Sequence, residues 1–184
     1  MPVKNISSQF CAKPVLICAL LIVSIASSLY GGQSDSVGTW AAWQFLLGDW
    51  TGEGVGVPGQ GAGTFSFRPD LQKAILVREN HSEYPATKDR QAFSHDDLMI
   101  IYHESSGPTR AVYFDNESHV IHYTVQFSGD SNTVTFLSDA IPMQPRFKLT
   151  YKKQDGNSLR ISFYIAPPGK PEDFSRYIDG EARR

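Results

Sequence analysis

The sequence predicts an all-β protein: about ten antiparallel strands wound up and down into one closed barrel, preceded by one short helix. Three observations predict it. After Gly48, apolar and polar residues alternate over short runs, the period of a strand with one buried face. The runs are separated by tight clusters of Pro, Gly, Asn, Asp and Ser, the spacing of hairpins in series rather than of strand–helix–strand crossovers. Finally, 11 Phe, 8 Tyr and 3 Trp in 184 residues supply enough bulk to fill a sizeable core.

The first residues are expected to be a leader. Met1 to Lys13 carry two lysines and no acid, and Pro14 to Leu29 is an apolar run of 16 residues. A helix needs roughly 20 residues to cross a bilayer, so this run is short for a membrane span. Small and polar residues follow it, and Ala26, Ser27 and Ser28 fit a cleavage site. Residues 1–28 therefore read as a signal peptide, 29–38 as a linker and 39–184 as the barrel domain, in a periplasmic or secreted protein. The competing reading is an uncleaved anchor. A lipoprotein reading is weaker, because Cys18 lies inside the apolar run behind Ile17. Both cysteines, Cys11 and Cys18, fall in the leader. The mature chain has no thiol for a disulfide, a zinc–thiolate or iron–sulfur site, or a nucleophile.

Without Lys4 and Lys13 the 17 Lys and Arg become 15 against 19 acids, a net charge of about −4. The densest basic stretch is only Lys148 to Lys153, so a nucleic-acid partner is disfavoured.

The helix is expected from Thr39, as cap, to Gly48, as stop, with Trp40, Trp43, Leu46 and Leu47 at spacings of three to four. The strands follow. Gly48–Val57 and Gly63–Arg68 are joined by Pro58, Gly59, Gln60 and Gly61; Pro69 and Asp70 lead to Ala74–Tyr84. Pro85–Asp96 is the longest irregular piece, read as a surface loop or a lid over a portal. Leu98–Glu104 and Arg110–Phe114 flank Ser105 to Pro108. Clear alternation then returns at Ile121 to Phe127, Phe147 to Tyr151 and Leu159 to Ile165, and the last strand covers about Phe174–Ala182. A barrel hides the apolar face of such strands and leaves no open edge.

The opening of this domain, WQFLLGDWTGEGVG over Trp43 to Gly56, resembles the calycin or lipocalin-like superfamily. It looks most like bacterial lipocalin-like barrels of unknown function that begin LxGxWxGxG, and more distantly like nitrobindin. MIIYHESSGPTRAVYFD and YIDGEARR resemble later strands of that family. The resemblance implies a ten-stranded lumen-bearing barrel, with Trp50 plugging one end and Gly48, Gly52, Gly54 and Gly56 letting the first strand bend. Nitrobindins hold haem through a histidine near their C-terminal strands. Here the last histidine is His122, a departure that argues against haem, and no cofactor is expected.

No motif for a phosphate loop, a dinucleotide or a nucleophile elbow occurs. His119 and His122 are three apart on a strand, on opposite faces, and cannot chelate one metal. His95, Asp96 and Asp97 read as an acidic loop. His81 with Glu79 or Glu83 is the one candidate acid–base pair for a small-substrate enzyme. The main expectation is instead a small apolar ligand in the lumen, lined by Trp50, Arg78, His81, Tyr102, Tyr113, His122, Tyr123, Arg160 and Tyr164. Whether Glu79 and His81 or Arg78 and Asn80 face inward stays open, because a slip of one residue exchanges them.

Overall fold

A computed structural model describes residues 40–184. The predicted leader and linker, and the Thr39 cap, lie outside the described residues. Ten strands form one closed barrel: β1 (Gly48–Gly56), β2 (Gly61–Asp70), β3 (Ile75–Tyr84), β4 (Phe93–His103), β5 (Thr109–Asp115), β6 (Val120–Phe127), β7 (Thr133–Ser138), β8 (Arg146–Lys153), β9 (Ser158–Ala166) and β10 (Ser175–Arg183). Each strand pairs antiparallel with its neighbours in sequence, and β1 pairs with β10 to close the ring. Closure gives every strand two partners, so no ladder is left open to solvent. At the seam Thr51 lies opposite Arg183 and Gly54 opposite Gly180, and a bulge at Tyr177 shifts the β9–β10 register.

The expected N-terminal helix is replaced by one 3-10 turn, Ala41–Trp43. Its hydrogen bonds all span three residues: Trp43 N–H to Trp40 C=O, Gln44 to Ala41 and Leu46 to Trp43. The spacing of Trp40, Trp43 and Leu46 is that of a three-residue turn, and Gly48, at φ 105°, sends the chain straight into β1. Only residues 44–47 separate this turn from β1, so it has no room to extend into an α-helix before the strand begins.

That turn seals one end of the barrel. Trp43, Leu46 and Trp50 are buried there with Phe67, Leu76, Phe136 and Tyr151. Trp43 meets Phe127 edge to face at 5.1 Å, and Trp50 lies parallel to Phe65 at 6.1 Å. Trp50 Nε1–H donates to Leu46 C=O at 2.8 Å, so its one polar atom is satisfied. From the far end of the chain, the Arg184 guanidinium covers Trp50 at 4.4 Å and donates to Phe45 C=O and Leu47 C=O. Trp40 Nε1–H reaches Lys73 C=O at 2.7 Å and ties the plug to the β2–β3 turn.

Strand boundaries differ from expectation at β2, which runs over Gly61–Asp70 rather than Gly63–Arg68, and at β4. β4 begins at Phe93, so the irregular segment is only residues 85–92. The β2–β3 turn holds Leu71, Gln72 and Lys73 at φ 46°, 56° and 69°, three left-handed residues without a glycine.

Candidate ligand-binding site

Register assigns the two faces. Trp50 opposes Phe65, Phe65 opposes Asn80, Asn80 opposes Asp97 and Asp97 opposes Asp115, so these positions share the inner face. Above the plug they surround a cavity of about 380 Å3, within the range of small-molecule pockets. Ile161, Phe163, Leu149 and Phe147 make an apolar wall. Across from it, β3 to β6 present Arg78, Asn80, His95, Asp97, Tyr113 and Tyr123.

Glycines hold the third side open. Gly52, Gly54, Gly61, Gly63 and Gly180 are adjacent through the β10–β1–β2 register and project no side chain into the lumen. The strands also approach closely at this seam: a Cβ on Gly54 would meet Asp179 C=O at 3.0 Å and one on Gly52 would meet Glu181 C=O at 3.2 Å. A larger depression, about 580 Å3, lies on the rim beside the stacked rings of Tyr84 and Phe93. Its lining is mostly solvent-exposed, and the buried polar groups belong to the lumen.

The polar wall is a connected network. Arg78 and Asp97 form an ion pair whose side chains are 8% and 5% exposed. Asn80 Nδ2 donates to Asp97 Oδ2 at 3.0 Å and to Ser82 Oγ at 3.2 Å. Nearer the mouth, His95 Nε2 lies 2.9 Å from the Tyr113 hydroxyl, which donates to Asp115 Oδ2 at 3.3 Å. Asp115 also accepts from the His119 ring and from the backbone N–H groups of Glu117 and His119. Arg78 Nε and the Tyr151 hydroxyl are buried with no hydrogen-bond partner among the described residues.

Burial and charge set the protonation of this wall. Burial pushes the Asp97 carboxyl above its ordinary value, further than Arg78, His95 and Asn80 draw it down. Desolvation is the largest single influence on Arg78 and works against its charge, but Asp97 together with Tyr151 and Tyr113 outweighs it and the guanidinium pKa is raised. Burial raises the Tyr113 and Tyr123 hydroxyls and lifts Tyr151 to about 12, so all three are neutral hydroxyls. Burial also favours a neutral Asp115, yet the His119 backbone and ring and the Glu117 N–H hold it below the usual range.

Known proteins add the fold. No family model matches the sequence, and no curated protein matches it. The Rv2717c protein of M. tuberculosis superposes with a TM-score of 0.52 at 15% identity, over 82% of this chain and 98% of that one. The two share a fold. The S-type phycobiliprotein lyase CPES of Guillardia theta (TM-score 0.46, 6% identity, 77% of this chain, 90% of that one) is more distant. So is a de novo designed fluorescence-activating β-barrel (0.40, 15%, 78% and 96%).

Of the residues expected in the lumen, the fold brings together Arg78, Tyr113 and Tyr123, and it buries Trp50 in the plug. The others correct the expectation. His81, Tyr102, His122, Arg160 and Tyr164 oppose outward residues in the register and lie outside the lumen. The reason is strand phase: Arg78 and Asn80 alternate inward, so Glu79, His81 and Glu83 alternate outward. His81 meets Asp96 at 2.6 Å and Glu83 at 3.4 Å on the exposed surface, which takes the expected His81 pair with Glu79 or Glu83 out of the lumen. A His–Glu contact that does line the cavity, at its mouth, is His95 Nδ1 with Glu117 Oε1 at 3.1 Å. Arg160 pairs with Asp179 outside, and Tyr164 lies under Lys148.

His95, Asp96 and Asp97 form part of β4, not a loop; His95 and Asp97 point inward and Asp96 outward. Sequence reasoning missed Asp97 and His95 as site residues and held Asn80 only as one of two open strand phases. The alternation of His95, Asp97, Met99 and Ile101 was the available signal, obscured by polar residues standing where apolar ones mark an inner face. Among the described residues, no group of three or more His, Cys, Asp or Glu is placed to hold a metal ion.

Proposed function

We propose that this is an exported, lipocalin-like binding protein whose barrel lumen holds a small, largely apolar molecule. One observation carries the reading: the cavity of about 380 Å3 combines an apolar wall with a few convergent, buried polar groups. Such a lining gives affinity through apolar burial and orientation through hydrogen bonds. The glycine column supports it as well, since an inner face built only for packing would carry side chains there. Export rests on the basic start and apolar run of residues 1–28, and family placement on the Trp43 to Gly56 opening.

The test uses protein purified from its own host for native mass spectrometry, and Nile red and a fluorescent fatty acid for titration of the emptied barrel. Binding should saturate at one site and weaken at least about tenfold in Ile161→Trp, which fills the lumen. His122→Ala, on the outer face, should leave it unchanged. An emptied barrel that binds no apolar probe, or an Ile161→Trp protein that binds as well as the parent, would remove the proposal.

A further inference from the structure

The deepest charged groups of the lumen are one cation and one anion in direct contact. Arg78 and Asp97 both line the cavity and both are more than nine-tenths buried. A ligand group brought to this wall meets both charges at once. A carboxylate drawn to Arg78 comes against Asp97, with Asp115 held ionised nearer the mouth. An ammonium drawn to Asp97 comes against Arg78. At the buried Arg78–Asp97 pair itself either ion gives up its hydration without a net opposite charge to replace it, and the acids nearer the mouth, Asp115 and Glu117, are already engaged by the His119 and His95 rings.

An uncharged group suffers neither penalty. Its hydrogen-bond acceptor suits Arg78 and its donor suits the Asp97 carboxylate. The neutral hydroxyls of Tyr113 and Tyr123 offer further polar contacts to the same end of the molecule.

We infer that the lumen selects an uncharged molecule: an apolar body with one head group that both donates and accepts, such as an amide or an alcohol. The same body ending in a carboxylate or an ammonium is rejected. This deepens the proposed function and rests on the lumen being the binding site.

Three probes sharing one body test it at pH 7: 1-naphthylacetamide, 1-naphthylacetate and 2-(1-naphthyl)ethylamine, titrated by calorimetry, with Nile red as a reference for the lumen. The amide should bind at least about tenfold more tightly than either ion. Asp97→Asn, which leaves Arg78 as an unbalanced cation, should move the preference toward the carboxylate by at least about tenfold. The charge-balanced Arg78→Gln/Asp97→Asn protein should still prefer the amide. If Asp97→Asn does not fold, the comparison of the three probes on the parent protein decides. Nile red binding with a carboxylate or amine held as tightly as the amide overturns the selectivity and leaves the lumen site standing. An unchanged preference in folded Asp97→Asn protein overturns the role of the pair. Failure of all four probes removes the binding reading and this inference with it.

Discussion

Asp97→Ala should be among the most damaging single changes to this barrel, and removing its partner as well should undo most of the damage. In the native protein the Arg78 guanidinium lies between Phe65 and Tyr151, 5.7 and 5.8 Å from their ring centres, and Asp97 is its ion-pair partner. Two unit charges about 4 Å apart at an effective dielectric of about 20 attract by about 4 kcal/mol, an upper bound on what the pair returns. Deleting the carboxylate leaves a buried cation uncompensated, which costs about 3–5 kcal/mol. Replacing both partners by apolar groups, as in Arg78→Leu/Asp97→Leu, removes that uncompensated charge and should fall within about 1 kcal/mol of the parent or above it. Urea unfolding at pH 7, followed by tryptophan fluorescence and circular dichroism, gives both free energies. The reasoning is refuted if Asp97→Ala costs less than about 1 kcal/mol, or if the double variant is as unstable as the single one.

Three further outcomes follow from other parts of the molecule. Trp50→Ala empties the plug of a side chain 2% exposed and should cost about 3–5 kcal/mol in the same unfolding assay, with Trp50→Phe losing far less. Hydrogen bonds from His81 to Asp96 and Glu83 raise the His81 pKa above 6.5. Its small contribution to stability should therefore be fully present below about pH 6.5 and fade as pH rises through the raised value, a slope in melting temperature that His81→Asn abolishes. Gln72→Gly relieves a left-handed residue, φ 56°, in the β2–β3 turn and should stabilise by about 0.5–1 kcal/mol; a lower melting temperature would show that the turn is not strained there.

Much of the barrel was legible along the chain because a strand with one buried face writes its period directly into the sequence. Ile121 to Phe127, Phe147 to Tyr151 and Leu159 to Ile165 alternate and became β6, β8 and β9. Legibility failed where polar residues interrupt that period. The inner face of β3 and β4 carries Arg78, Asn80, His95 and Asp97, so polar residues occupy both faces and nothing local distinguishes them. Glycines 52 and 54 were read as bends in one strand. Gly61 and Gly63 face them across the next hairpin and Gly180 across the β1–β10 seam from the far end of the chain, and only pairing shows the five as one column. The lead-in helix failed for a different reason: an apolar spacing near three suits a 3-10 turn as well as an α-helix, and the nearness of β1 decided between them.

The sequence by itself determined that the chain after Gly48 is a meander of hairpins and that it carries no cysteine beyond Cys18. Local alternation, turn chemistry and residue type suffice for those. Only the tertiary structure decided that Arg78 and Asp97 meet inside the lumen while His81 and Asp96 meet outside it. That choice is one residue of phase along a strand. It is fixed by the pairing of Phe65 with Asn80 and Phe67 with Arg78, where burying the two phenylalanines on the plug side carries Arg78 inward with them.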